Sequence, residues 1–119
     1  MWIFTETGFV SAVKKPKDNG LVSLRARDKD SLQPLVEATG QPIVHTPEGD
    51  YPYRIFIEQT DFADWVAKCA LELEYPNFKS RMAQFRSYKY LGALHEVWAA
   101  MSRTENAESR NFFDDETEA

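Results

Sequence analysis

Cysteine and glycine are scarce in this sequence, and neither residue type forms a motif that carries chemistry. The single thiol, Cys69, excludes an internal disulfide and a zinc site built from several cysteines, and it is typical of a protein in a reducing compartment. The five glycines are scattered, so the sequence contains no glycine-rich loop of the kind that binds phosphates. The two histidines, His45 and His95, have no Glu-x-x-His or cysteine partner. We therefore predict no metal site and no cofactor.

Long hydrophobic runs are also missing. No segment approaches the roughly 20 apolar residues that a membrane-spanning helix needs, and the first residues lack the positive charge that begins a secretory signal. We therefore expect a cytoplasmic protein that does not bind membranes. Aromatic residues, by contrast, are plentiful. Three Trp, five Tyr and eight Phe among 119 residues are enough for one domain to form a core without disulfides.

Negative charge is concentrated at the C-terminal end. Residues 105–119 carry six carboxylates and one arginine, so they account for the whole net charge of −5, and the preceding residues are neutral overall. This segment has no helical periodicity, and its large apolar residues are Phe112 and Phe113. We predict one domain over residues 1–104 and an acidic, disordered tail over 105–119. The alternative is that the two phenylalanines anchor the tail on a partner or on its own domain.

One pattern of predicted elements, a strand followed by an acidic cap and a helix, occurs twice in the first two thirds of the chain. An apolar segment before each strand can pair with it. The strands fall at 21–27 and 53–57, their partners at 2–13 and 42–46, and the helices at 31–39 and 62–73. The pattern predicts an α+β fold with a mainly antiparallel sheet of four to five strands, helices packed on one face, and further helices at the C-terminal end.

Turn and cap residues set the limits of these elements. Gly8 is either a bulge in one long strand or part of the turn between two short strands. The Asn-Gly dipeptide at 19–20 predicts a hairpin turn before the next strand. Asp28 or Asp30 can cap the first helix, and Gly40 can end it.

Apolar spacing predicts the second helix and a C-terminal pair of helices. The second helix has one stripe at helical spacing, and Pro76 stops it. Asn77 can cap a short helix over 78–85, and a last helix covers 87–101. The stripes consist of Phe62, Trp65, Val66, Cys69 and Leu73 in the second helix and of Leu91, Leu94, Trp98 and Met101 in the last.

Several short segments form a recognisable set. They are Met1-Trp-Ile-Phe-Thr5 with Gly8-Phe-Val-Ser11, Arg25-Ala-Arg27, Asp50-Tyr-Pro-Tyr-Arg54, Tyr75-Pro-Asn-Phe-Lys79 and Leu94-His-Glu-Val-Trp98. Together they resemble a family of small proteins from bacteria and some of their phages that has no assigned activity. The likeness covers residues 1–101. It implies one compact domain without known catalytic residues, and such a module would suit a regulatory or anti-defence factor of a bacterium or a phage.

Strand arginines are the first group of candidate binding residues. Arg25 and Arg27 share one strand face, and Arg54 lies in the equivalent strand of the second unit. With Tyr51, Tyr53 and Phe56 close in sequence, these guanidiniums suit phosphates and bases. The alternative is that they pair with nearby carboxylates, for which the candidates are Asp28, Asp30, Glu58 and Asp61.

The corner before the short third helix supplies the second group. Asn77, Lys79 and Arg81 stand at a helix start, where free amides and added cations attract anions. The alternative is a structural corner in which Asn77 caps the helix and the cations are solvated.

These features favour a non-enzymatic module that binds a protein partner, because the domain is neutral, rich in aromatics and free of catalytic motifs. A nucleotide-binding protein that uses the strand arginines is the first alternative. Nucleic acid fits less well because the chain has no basic footprint. A small hydrolase based on His95 has the least support, since no nucleophile or orienting carboxylate accompanies it. Edge strands of the predicted sheet also allow a homodimer.

Overall fold

The structure is a computed structural model, and it describes residues 1–105. Its strands are β1 (Trp2–Thr5), β2 (Gly8–Val13), β3 (Val22–Ala26), β4 (Val44–His45) and β5 (Tyr53–Ile57), and its helices are α1 (Gln33–Thr39), α2 (Gln59–Leu71), α3 (Phe78–Met82) and α4 (Tyr88–Ser102). The chain forms two compact units, Met1–Pro76 and a second that begins at Asn77. From position 106 onward the predicted tail lies outside the described residues, and the single domain over 1–104 stays a prediction.

The first unit contains an antiparallel sheet of five strands in the order β1-β2-β3-β5-β4. β3 and β5 are central neighbours, β2 pairs with the outer side of β3, and β4 pairs with the outer side of β5. A helix follows each central strand. Both strand–strand–helix units therefore form as predicted, and they join through β3 and β5. The predicted α+β fold is confirmed.

Gly8 stands at the turn between two strands and does not form a bulge. Its φ of 151° favours glycine, and β1 and β2 form a hairpin in which Thr5 faces Gly8. The prediction of two short strands is therefore confirmed over that of one long strand. The Asn-Gly turn also forms, with left-handed φ values of 55° at Asn19 and 84° at Gly20.

Helices α1 and α2 pack on one face of the sheet because strand alternation makes that face apolar. Leu24 of β3 lies opposite Ile55 of β5, and both side chains are fully buried. Around them the core consists of Val10, Ala12, Val22, Ala26, Leu32, Leu35, Ile57 and Trp65. Burial of a large apolar side chain contributes about 1.5–3 kcal/mol, so this cluster is the main source of stability of the first unit.

Helix α1 begins later than its acidic signals predict. The carboxylate of Asp28 accepts hydrogen bonds from the backbone N–H and the hydroxyl of Ser31 at 3.0 and 2.7 Å. Asp28 therefore caps the turn that leads to the helix, and α1 itself starts at Gln33. Its end is as predicted: Gly40 has a φ of 76°, and its N–H donates to the carbonyl of Val36 at 2.8 Å.

Helix α2 is shifted toward the N-terminus relative to its prediction. The carbonyl of Glu58 already accepts a hydrogen bond from the N–H of Phe62 at 3.1 Å, so the helix begins at Gln59. It ends at Leu71, and Leu73 lies beyond it as an exposed side chain. The predicted stripe therefore ends at Cys69, and the assignment of Leu73 to it is wrong.

The second unit contains α3 and α4, each with the side-chain cap that its sequence indicates. Asn77 Oδ1 accepts from the N–H of Ser80 at 2.8 Å, and Ser87 Oγ accepts from the N–H of Tyr90 at 3.2 Å. The helix predicted over 78–85 is shorter, since α3 ends at Met82 and turns connect it to α4. In the described part of the chain, no helix is long and apolar enough to cross a membrane.

Candidate functional site

Arg25 and Arg54 lie directly opposite each other on the central strand pair. Like charges in that position repel and would destabilise the sheet. The carboxylate of Asp50, in the loop before β5, lies between them: Oδ2 is 3.3 Å from Arg25 Nη1, and Oδ1 is 2.7 Å from Arg54 Nη2. One carboxylate therefore offsets the repulsion between two cations.

Tyr51 extends this group toward a third arginine. The guanidinium carbons of Arg25 and Arg27 lie 4.7 and 4.4 Å from the centroid of its ring, which is within cation–π range. Arg27 Nη1 also donates to the backbone carbonyl of Asp50 at 2.8 Å. We call Arg25, Arg27, Asp50, Tyr51 and Arg54 the arginine cluster.

Thr46 holds the loop around the arginine cluster in place. Its hydroxyl donates to the carbonyl of Tyr51 at 2.8 Å and accepts from Arg54 Nε at 3.2 Å. Its backbone N–H donates to the carbonyl of Pro52 at 2.7 Å. Gly49 lies so close that a Cβ on it would be 3.1 Å from Arg54 Nη2. The loop thus encloses the guanidinium of Arg54.

Each arginine of the cluster makes at least one hydrogen bond within the protein, although Arg25 Nε is buried without a hydrogen-bond partner among the described residues. Besides its contact with Asp50, Arg25 Nη2 donates to Ser11 Oγ at 2.6 Å. The side chains of Arg25 and Arg54 are 13% and 12% exposed, against 62% for Asp50. An incoming phosphate would have to displace Asp50 to reach either guanidinium. The first role of the cluster is therefore structural, because its contacts attach the loop before β5 to the sheet.

The ionisation of Asp50 reflects this setting. Desolvation raises the pKa of Asp50, but the charge of Arg25, the hydrogen bond from Arg54 and the charge of Arg54 outweigh it. The net effect holds the pKa of Asp50 below its ordinary value. The carboxylate of Asp50 is therefore ionised at neutral pH, where it forms its ion pairs with Arg25 and Arg54.

Tyr53 does not belong to the arginine cluster. It lies opposite Ala26 on the face of the sheet that carries the core, and it packs against the core. Its ring stacks on His45 at 5.1 Å between centroids, and Lys29 Nζ lies 5.7 Å from the ring centroid. The aromatic partner of the arginines is Tyr51, two residues earlier.

The carboxylate partner of the arginines also differs from the expected ones. Of the acidic residues considered from sequence, none is the ion-pair partner found among the described residues, which is Asp50. Asp50 stands four residues before Arg54, at the end of the Pro-Glu-Gly-Asp turn. This short separation in sequence could have indicated the ion pair, because the last residue of a turn lies close to the strand that follows it.

In the second unit, the residues of the predicted corner have separate roles. Asn77 caps α3, so its side-chain oxygen is occupied. Arg81 lies 5.3 Å from the ring centroid of Phe85, as measured from its guanidinium carbon. Lys79 Nζ lies 5.3 Å from the ring centroid of Trp98 on α4. The side chain of Lys79 therefore connects this corner to an exposed aromatic side chain of α4.

Lys79 also contacts the neighbouring histidine. Its Nζ is 3.2 Å from His95 Nδ1. The rings of His95 and Trp98 stack at 5.5 Å with an interplanar angle of 25°. Lys79, His95 and Trp98 thus form a cationic, aromatic surface.

The apolar stripe of α4 changes from buried to exposed along its length. Leu94 is buried, whereas Trp98 and Met101 are 63% and 60% exposed, and Val97, which lies beside the stripe, is 40% exposed. We call Lys79, His95, Val97, Trp98 and Met101 the α4 face. Residues 77–105 carry five cations and two carboxylates, so the surroundings of this face are positive.

Comparisons with protein-family models, with curated proteins and with solved structures found no match. The resemblance to the family of bacterial and phage proteins therefore stays a prediction. Among residues 1–105 there is also no group of three or more His, Cys, Asp or Glu side chains that could hold a metal ion.

Proposed function

We propose that this protein is a non-enzymatic binding module that takes a protein partner on the α4 face. The observation that supports this most strongly is the exposed continuation of an apolar stripe: Trp98 and Met101 are mostly in contact with solvent although Leu94, on the same stripe, is buried. Exposed large apolar groups that lie together are typical of interaction surfaces. Trp is also the residue type most enriched among binding hot spots.

The chemistry of the α4 face favours an acidic partner segment with large apolar side chains. Lys79 is held against Trp98, and residues 77–105 around it carry more cations than carboxylates, so carboxylates on the partner would be attracted. Val97 and Met101 offer aliphatic surface beside the indole. A helix or extended peptide with alternating apolar and acidic residues matches both properties.

Nucleotide binding by the arginine cluster is the weaker alternative. The guanidiniums of Arg25 and Arg54 are paired with Asp50 and little exposed. For nucleic acid, the cations and rings of the second unit would be suitable. Val97 and Met101 favour protein over nucleic acid, because bases stack on rings and gain little from aliphatic side chains.

Affinity capture followed by measurement with the purified partner tests the proposal. We expect Trp98→Ala to weaken the partner's Kd by roughly 30-fold, which is the effect of losing a hot-spot residue. Leu71→Ala is the matched control, since Leu71 is also exposed and apolar but lies at the end of α2, and it should leave the Kd unchanged. Recovery of the same partner with equal affinity by both variants would overturn the proposal.

Two further measurements separate the alternatives. Sedimentation velocity identifies a second copy of the chain as the partner if wild type dimerises and Trp98→Ala does not. Fluorescence anisotropy with a labelled single-stranded oligonucleotide covers nucleic acid. If the oligonucleotide binds in a way that depends on Trp98 and no protein is captured, the partner of the α4 face is nucleic acid and not protein.

A further inference from the structure

A groove lies within the first unit, away from the arginine cluster. It is lined by residues of β1 and the turn after it, of α1, and of α2 and the segment that follows α2, and it has a volume of about 600 Å³. Small-molecule sites in proteins commonly have volumes of about 300–1,000 Å³. The groove is therefore large enough for one small organic molecule.

The groove has apolar and aromatic walls. Phe4, Trp65 and Tyr75 contribute rings to its lining, and Ile3, Val66 and Leu73 contribute aliphatic surface. Trp65 is itself buried and packed against the core, so its position is fixed. A ligand with an apolar body would gain contact area here without reordering the wall.

Charge in the groove is mainly negative. Among the described residues, its charged lining consists of Glu6, Glu37, Asp61, Asp64 and Glu72 with Lys68 as the one cation. The thiol of Cys69, in the same wall, responds to this charge. Burial raises the pKa of Cys69, Glu72 and Glu6 raise it further, and Lys68 opposes them. The wall thus favours positive charge.

We infer that this groove binds a small organic cation, namely a protonated amine attached to an aromatic or aliphatic body. The carboxylates would attract the ammonium, and the rings would contact the body and attract the cation through their faces. This inference is independent of the proposed function, which uses the α4 face of the other unit.

Tryptamine is a suitable probe, because it joins a protonated primary amine to an indole. Indole-3-acetate is the matched control ligand with the same ring and the opposite charge. Binding is measured by two-dimensional ¹H–¹⁵N NMR on the full chain at pH 7. We expect saturable shifts of the Trp65 indole N–H and of the Cys69 amide with tryptamine and none with indole-3-acetate. Equal binding of both ligands, or of neither, would overturn the inference.

A variant that lacks two carboxylates of the groove tests whether tryptamine binds there. Asp64→Asn with Glu72→Gln removes two carboxylates of the groove, and we expect the Kd for tryptamine to rise at least about fivefold. Asp30→Asn with Glu48→Gln removes two carboxylates that do not line the groove and should change the Kd less than about twofold. An unchanged Kd in the groove variant contradicts the inference. If that variant does not fold, the comparison of the two ligands on wild type still decides.

Discussion

A single carboxylate, Asp50, determines how the exposed loop before β5 is attached to the sheet. It contacts Arg25 and Arg54 through its side chain and Arg27 through its backbone carbonyl. Without it, two guanidiniums would face each other across β3 and β5 with no counter-charge between them. Asp50 therefore makes an otherwise unfavourable pair of residues compatible with the sheet.

Asp50→Asn tests this role through its pH dependence. Because the folded state lowers the pKa of Asp50, its contribution is present above the ordinary carboxyl pKa of about 4 and is lost as the pH falls through the lowered value. We expect Asp50→Asn to be less stable than wild type to urea at pH 7. The difference should shrink as the pH is lowered below about 4.

The control for this experiment is Glu48→Gln, in the same loop, because among the described residues the carboxylate that pairs with Arg25 and Arg54 is that of Asp50. It should unfold like wild type at both pH values. If Asp50→Asn and wild type have the same urea midpoint at pH 7, the ion pairs of Asp50 do not stabilise the fold.

At the scale of single elements, backbone conformation decides what replacing a glycine does to stability, and two glycines illustrate this. Gly40 ends α1 with a φ of 76°, a conformation that L side chains rarely adopt. Gly92 lies within α4, where its backbone is helical. A Cβ at either position would meet nothing within 4 Å. The two sites therefore differ in backbone conformation and not in available space.

Alanine at these two positions should have opposite effects. We expect Gly40→Ala to lower the free energy of unfolding by about 1 kcal/mol, because of the left-handed backbone. Gly92→Ala should raise it by about 0.5–1 kcal/mol, because alanine favours the helix and restricts the unfolded chain. Urea unfolding followed by circular dichroism at 222 nm measures both. A change of the same sign in both variants would contradict this explanation.

At the scale of the molecule, the central pair of strands joins the two strand–strand–helix units. β3 and β5 pair over their full length although α1 and β4 separate them in sequence. Leu24 and Ile55, which face each other at the middle of this pair, are fully buried. The stability of the first unit therefore depends on a long-range contact that neither repeat can form alone.

Leu24→Ala should destabilise the protein by about 2–5 kcal/mol, since it removes buried methyl groups and leaves a cavity. Val44→Ala, on the edge strand β4, should cost less than about 1 kcal/mol because Val44 is exposed. Chemical denaturation measures both values. Similar losses in the two variants would show that the β3–β5 pair is not the centre of stability.

Several features of the fold were predictable from sequence because they depend on neighbours along the chain. Strand alternation predicted which side chains of β3 and β5 share a face, and the bounds of β5 agree with the prediction. The cap at Asn77 and the helix end at Gly40 also follow from local hydrogen bonding. Among the predicted site residues, the pairing of the equivalent strands places Arg25 opposite Arg54.

The sequence by itself determined the order of elements, their faces and some of their ends, since side-chain period and backbone hydrogen bonds act over a few residues. Tertiary structure alone decided which carboxylate pairs with the arginines, and that Tyr51 rather than Tyr53 contacts them. It also decided that Trp98 remains exposed and that carboxylates of α1, α2 and two connecting segments line one groove. These outcomes depend on distances between segments far apart in the chain, which periodicity does not encode.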